Sequence, residues 1–168
     1  VRLHPFCTPK YFEQTVMPAL DKGFTISGKA RQHFEISGGG FIATGPDEDT
    51  VQKMAEWVRY RVAFYGSTPA YWPVLEAHDQ GDLGRKLDHM TKAGEWDKIA
   101  AEIDDDVLRL FAAVGTHENI AKQIKGRFGG LADTVHASAH LDMRSDWPKG
   151  LIEDIASIDC AFTGFNTE

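Results

Sequence analysis

The sequence predicts an α/β fold, in which short strands alternate with longer helices. The clearest helix follows Asp47, because its apolar residues recur at spacings of three and four. Those residues are Val51, Met54, Ala55, Val58, Val62 and Tyr65. A strand is indicated at 133–140, where small apolar and polar residues alternate. Further strands are predicted at 1–6, 34–44 and 112–115, and strands and helices in alternation are typical of α/β proteins.

Capping signals predict where several helices begin and end. Thr8 and Pro9 are typical of a helix start, and Gly23 of the end of that helix. Pro18 lies inside the same pattern, so the helix is expected to loosen or end early there. Thr116 is expected to cap a helix that follows the strand at 112–115.

The composition is that of an ordinary globular protein, and its size predicts a single domain over residues 1–168. Of the 168 residues, 42% are hydrophobic and 26% are charged. The net charge is −7, from 18 Lys and Arg against 25 Asp and Glu. This charge argues against nucleic acid or an anionic membrane as a partner. An anionic cofactor would need donors concentrated at one place.

Two cysteines and the absence of long apolar runs predict a cytoplasmic protein. Cys7 and Cys160 lie far apart and show no metal-binding or redox spacing, which indicates reduced thiols. No apolar run approaches the roughly 20 residues that span a bilayer. No N-terminal signal pattern is present in the printed sequence.

Metal binding is not favoured by the acidic and histidine motifs. Asp104, Asp105 and Asp106 precede an apolar helical pattern, so they are interpreted as residues that cap and charge a helix start. His136 and His140 would be about 13 Å apart on a strand, too far to share one ion. The three glycines 38–40 predict a bulge, or a place where another group approaches the backbone.

A break between two predicted helices is a candidate ligand site. Gly66 frees the backbone, Ser67 and Thr68 can cap the next helix, and Pro69 suits its first turn. Main-chain N–H groups and two hydroxyls would then converge where an anion could sit. The alternative interpretation is an ordinary corner between two helices.

Several motifs in order carry a resemblance to a known family. They are Ala63 to Tyr71 (AFYGSTPAY) with Val74 to His78 (VLEAH), Val1 to Phe6 (VRLHPF) with Thr8-Pro9, Gly94 to Trp96, and Ala113 to Thr116. From Val1 to about Val135 the chain resembles the luciferase-like monooxygenase superfamily. It is most similar to the actinobacterial branch of coenzyme F420-dependent oxidoreductases.

The resemblance implies a (β/α)8 TIM barrel with its cofactor at the C-terminal ends of the strands. A whole barrel needs about 250 residues, and this chain has 168. The expected architecture is therefore a partial barrel, the C-terminal half, with about four parallel strands and extra helices. The chain begins with Val rather than Met, so a fragment and a processed chain both remain open.

The resemblance also implies the chemistry. It predicts hydride transfer between the deazaflavin coenzyme F420 and a small organic substrate, with FMN-dependent monooxygenase chemistry as the alternative. Since half of the ring of loops is missing, the isolated chain is expected to be inactive. A second possibility is a truncated barrel that binds a ligand without catalysis.

Candidate site residues follow from the resemblance. His4 is the expected catalytic residue, although it could simply pair with a backbone group at the strand end. Phe6 and Tyr71 are expected to contact the substrate. Cofactor contacts are predicted at four positions: Ser67, Thr68, and the helix start at Gly115 and Thr116.

Half a barrel would leave strand edges and an interior face open, which soluble proteins rarely tolerate. Three coverings are possible: the N-terminal half of the barrel, a second copy of the chain, or helices that rearrange to cap the sheet. We expect a homodimer or association with the N-terminal half.

Overall fold

Two short strands pair in parallel at the centre of the fold. The computed structural model describes residues 1–136 and 147–165. Strand β1 is Phe41–Gly45 and strand β2 is Ala112–Thr116, with Phe41 opposite Ala112 and Gly45 opposite Thr116. The helices are α1 Pro9–Tyr11, α2 Met17–Ser27, α3 Glu48–Gly66, α4 Trp72–Glu76, α5 Gly81–Lys92, α6 Asp105–Phe111, α7 Ile120–Phe128 and α8 Lys149–Ala156. Short 3₁₀ turns occupy Arg31–His33, Pro69–Tyr71 and Ile99–Glu102.

The expected set of about four parallel strands is not confirmed. The described residues form one two-stranded sheet and two single-residue bridges, both parallel, from Ser37 to Arg2 and from Ser37 to Thr134. The segments predicted as strands at 1–6 and 133–140 are therefore reduced to one bridge each, and residues 137–140 lie outside the described ranges. The α/β class and the parallel direction of these segments agree with the prediction.

The three glycines explain why the strand predicted at 34–44 begins only at Phe41. Gly38, Gly39 and Gly40 have φ of 143°, 127° and 80°, which interrupts a regular ladder. A Cβ on Gly40 would stand 2.7 Å from the carbonyl oxygen of Phe111. The close approach that these glycines predict is thus made by the protein itself.

Alternate residues of β1 face two separate cores. Phe41 and Ala43 belong to the larger core, together with residues of α3 such as Val58. Ile42 belongs to the smaller core, which α7 and α8 complete with residues such as Ile124 and Leu151. Helices therefore cover both faces of the sheet. Covering by a second copy of the chain or by an N-terminal half stays a prediction.

The first helical region is longer than predicted. It passes from α1 through a π turn at Phe12–Val16 into α2, and it ends at Gly28, which has φ of 69°. The expected end at Gly23 is wrong, since a single glycine costs a helix only about 1 kcal/mol. Pro18 lies in the first turn of α2, directly after the π turn, where its missing N–H costs little.

Two aspartates cap helices, and the cap at Asp104 confirms a prediction. The Asp47 carboxylate accepts a hydrogen bond from the Thr50 N–H at 2.8 Å, and that of Asp104 accepts one from the Val107 N–H at 2.8 Å. Asp104 to Asp106 thus begin α6 as expected. In residues 1–136 and 147–165, no group of three or more His, Cys, Asp or Glu side chains could hold a metal ion.

The carboxylate of Asp133 ties the end of the described chain to its beginning. It accepts hydrogen bonds from the Arg31 guanidinium at 2.9 Å, the Ile36 N–H at 2.7 Å, and the N–H groups of Ala161 and Phe162 at 3.1 and 3.0 Å. The Asp133 side chain is only 2% exposed. Burial makes these charge-assisted bonds strong, so segments more than 100 residues apart are held together.

Within the described ranges, none of the helices combines the length and apolar content that a bilayer span needs.

The glycine run supplies a stability test. Gly40→Ala should lower the free energy of unfolding by about 2 kcal/mol or more, because the left-handed φ and the Phe111 carbonyl both oppose a Cβ. Gly23→Ala is the matched control: no atom lies within 4 Å of the position that its added Cβ would take, so it should stabilise α2 by about 0.5–1 kcal/mol. Urea unfolding of both variants measures the difference, and equal midpoints would contradict this account.

Candidate functional site

His4 lies in an aromatic cluster at the end of α3. Its ring centroid is 4.6 Å from that of Tyr65, with the two planes nearly perpendicular, and 4.9 Å from that of Tyr71. The Tyr65 and Tyr71 centroids are 5.7 Å apart. The structure thus brings together the predicted catalytic residue and one predicted substrate contact, through a tyrosine that the sequence analysis did not select.

Phe6 supports this cluster from the core. It is fully buried, it stacks on Phe111 at a centroid distance of 4.3 Å, and it meets the edge of Tyr71 at 5.4 Å. Its ring therefore backs Tyr71 and does not face solvent. Substrate contact by Phe6 stays a prediction.

The imidazole of His4 has one occupied nitrogen and one available nitrogen. The Phe6 N–H donates to Nδ1 at 3.1 Å, so in the neutral ring the proton is on Nε2. The expectation of a backbone partner thus holds for Nδ1, while Nε2 has no hydrogen-bond partner in the described part of the chain. Burial lowers the pKa of His4 below its usual 6.5, and the nearby positive charge of Arg61 lowers it further. His4 is therefore a neutral donor at pH 7.

The break after α3 is built differently from the prediction. The Ser67 hydroxyl donates back to the Phe64 carbonyl at 2.8 Å, and neither Ser67 nor Thr68 caps the next helical turn with its side chain. The N–H groups of Ser67, Thr68 and Tyr71 bond to carbonyls within the corner. These three amides are therefore unavailable to an anion, and the backbone here is an ordinary helix corner. The Thr68 side chain remains exposed.

Gly115 and Thr116 end β2 but do not begin a helix, which corrects the prediction. Helix α7 starts at Ile120, its N-cap residue is Asn119, and the Asn119 amide donates to the Thr116 hydroxyl at 3.3 Å. The reason is that the pairing with β1 continues through the bond from the His117 N–H to the Gly45 carbonyl at 2.8 Å, and a short turn follows, in which the Asn119 N–H bonds to the Thr116 carbonyl at 2.9 Å. A Cβ on Gly115 would contact Asn119 and Gln123, so Gly115 faces the start of α7.

Arg61 is the residue at this site that sequence reasoning missed. Its guanidinium carbon lies 5.7 Å from the ring centroid of Trp57 and 5.3 Å from that of Tyr65, and Nη2 donates to the Tyr65 hydroxyl at 3.1 Å. The signal was present in the spacing, since residues 57, 61 and 65 are four apart and share one face of α3. Rings at these positions place a cation between aromatic faces.

Comparison with known proteins identifies a family and several relatives. The family model for luciferase-like monooxygenases matches residues 3–134. Uncharacterized proteins of Mycobacterium tuberculosis and Mycobacterium bovis are 40% identical over 132 residues, which is 79% of this chain and 39% of each relative. A 5,10-methylenetetrahydromethanopterin reductase of Archaeoglobus fulgidus is 27% identical over 123 residues, 69% of this chain and 35% of that protein. The chain thus spans less than two fifths of these relatives.

A solved structure shows the same fold. The coenzyme F420 dependent tetrahydromethanopterin reductase of Methanopyrus kandleri superposes with a TM-score of 0.64 at 21% identity, covering 90% of this chain and 42% of that one. At this identity the similarity concerns the fold alone. The matched family model covers most of the sequence, and the chain therefore belongs to the luciferase-like monooxygenase family.

Proposed function

We propose that this chain forms part of an oxidoreductase that transfers hydride between coenzyme F420 and a small organic substrate. The observation that carries the proposal is the His4 cluster, in which a neutral imidazole presents a free Nε2–H beside the rings of Tyr65 and Tyr71. Family membership and the names of two relatives, both reductases of methanopterin compounds, support the reaction class.

The residues of the cluster fit a flat ring that carries oxygen atoms. His4 offers Nε2–H to an oxygen, and Tyr71 offers a ring face and a hydroxyl. Of the predicted cofactor contacts, Thr68 keeps an exposed side chain, whereas the Ser67 hydroxyl is already bonded to Phe64. Cofactor contacts at Gly115 and Thr116 stay part of the proposal as phosphate contacts. A flavin such as FMN presents similar ring oxygens and is the alternative cofactor.

In the proposed reaction the protein orients the reacting groups and donates a hydrogen bond. The cofactor, when bound, supplies the hydride chemistry. His4 would stabilise negative charge that develops on a substrate oxygen, because its Nε2–H is preorganised by the Phe6 bond to Nδ1. Tyr65 and Tyr71 would hold the reacting plane and exclude water from it.

The isolated chain is proposed to lack turnover, since it spans 35–39% of its curated relatives. A homodimer or association with an N-terminal half-barrel, in the cytoplasm, is the proposed working form. The alternative is an oligomeric binding protein without catalysis. One observation supports that alternative: helices pack against both faces of the two-stranded sheet.

Binding of the deazaflavin tests the proposal. Titration of the chain with oxidised coenzyme F420, followed by absorbance, should show a spectral shift that saturates at micromolar concentration. His4→Ala should weaken binding about tenfold, the worth of one good hydrogen bond in a partly buried site. His89→Ala is the matched control, since His89 is exposed on α5. Absence of any shift, or equal losses in both variants, would count against the proposal, and a shift with FMN alone would favour the flavin alternative.

The protonation of His4 can be measured directly. NMR of the imidazole should give a pKa below 6.5, because burial and Arg61 both disfavour the charged ring. Arg61→Gln should raise that pKa, since it removes the positive neighbour, but not fully to 6.5, because burial remains. By linkage, the neutral ring stabilises the fold above pH 6.5, and this contribution is lost as pH falls through the lowered pKa. An unchanged pKa in Arg61→Gln would refute the electrostatic contact.

A further inference from the structure

Arg61 has no carboxylate partner among the described residues. Arg127 also lacks one, but it donates to the carbonyls of Arg109 and Leu110. Arg59, two residues earlier on α3, bonds to Glu56 and Asp105 and to the Ile103 carbonyl. Arg31 pairs with Asp133, and Arg85 with Glu76 and Asp82. In the described part of the chain, Arg61 has only neutral partners: two aromatic faces and the Tyr65 hydroxyl. Its positive charge is therefore uncompensated at short range.

Arg61 is also not fully satisfied in its hydrogen bonds. Among residues 1–136 and 147–165, its buried Nε has no partner and its hydrogen bond uses Nη2, so Nη1 remains a free donor there. The Tyr65 oxygen accepts that bond and keeps its own proton to donate. His4 adds Nε2–H, and it contacts Tyr65 from the other side of the cluster. Four donors therefore lie in this cluster: Nε and Nη1 of Arg61, the Tyr65 hydroxyl and Nε2–H of His4. None of them has an acceptor among the residues that the structure describes.

These donors and the rings around them favour a ligand of a particular charge and shape. Donors without acceptors suit a ligand that brings oxygen atoms and negative charge, and a guanidinium binds a carboxylate through two parallel bonds. The rings of Trp57, Tyr65 and Tyr71 suit a flat, conjugated group. The chain as a whole carries −7, so attraction of an anion here has to come from the local cation.

We propose that Arg61, His4 and Tyr65 form a binding site for a planar conjugated anion, such as an aryl carboxylate. Arg61 supplies the charge and the fork of donors, His4 and Tyr65 supply further donors, and Tyr71 provides a flat wall. This site is the one at which an acidic aromatic compound would be recognised. The inference rests on the proposed function, because both use His4, Tyr65 and Tyr71, and it assigns Arg61 as the residue that sets specificity for charge. Binding of a small aromatic anion is measured without the cofactor, so failure of this inference and failure of cofactor binding can be told apart.

Two kinds of molecule carry a planar conjugated anion. One is a free aromatic acid, and the other is a ring-stabilised oxyanion within a larger conjugated molecule. Benzoate represents the first and 4-nitrophenolate the second, because its charge is spread over the ring. Comparing the affinities for the two probes shows which kind of anion the site prefers, and tighter binding of either one supports a site for a planar anion.

The experiment compares a charged ligand with its neutral isostere. Benzoate titrated into the full chain should shift the NMR signals of His4 and Tyr65, and benzamide, which has the same shape without charge, should bind about tenfold more weakly. Arg61→Gln should lower benzoate affinity about tenfold and remove the preference over benzamide. Arg61→Lys should restore part of it, because charge remains while the planar fork is lost.

Arg85→Gln is the matched control. Arg85 also lies over an aromatic ring, 5.9 Å from the centroid of Trp72, but it is exposed and paired with carboxylates. Its substitution should leave benzoate affinity unchanged. Thermal unfolding of each variant shows that it is folded, so loss of binding cannot be confused with loss of structure. Equal affinity for benzoate and benzamide, no binding of either anion, or an equal loss in Arg85→Gln would overturn the inference.

Discussion

The parallel pairing of β1 with β2 determines where the other elements lie. Successive side chains of a strand point to opposite faces, so Phe41 and Ala43 enter one core and Ile42 enters the other. A parallel pair buried on both faces needs helices on both sides. Helix α3 provides one side, and α7 with α8 provides the other. The end of α3 is thereby held against the segment that carries His4, and this contact creates the aromatic cluster.

Local signals predicted local structure well. The period of apolar residues identified α3, and Asp104 caps α6 as expected. Boundaries that depend on distant contacts were predicted poorly. The ladder around 34–44 is interrupted because Gly40 must pass close to the Phe111 carbonyl, and no pattern near Gly40 reveals that neighbour. The start of α7 moved to Ile120 because His117 bonds to Gly45, a residue 72 positions earlier in the sequence.

At the candidate site, too, residues in local motifs were predicted, and a residue that depends on distant contacts was missed. His4 and Tyr71 were selected from motifs, and the structure brings their rings together. Arg61 was missed because an arginine spaced four residues from two aromatic residues is ordinary on a helix surface. Arg61 has no carboxylate partner in the described residues, whereas Arg59 on the same helix has two. Only the three-dimensional arrangement carries that difference.

The π turn at Phe12–Val16 allows one helix to present two different faces. A π turn holds one residue more than the corresponding α turn. Deleting a residue there would rotate the segment from Met17 to Ser27 by about 100° about its axis and set the Pro18 ring against the preceding turn. Ile26, which is 87% exposed, would then point in a new direction. Homologues that gain or lose a single residue at this position would thus display a different surface while keeping the same path of the chain.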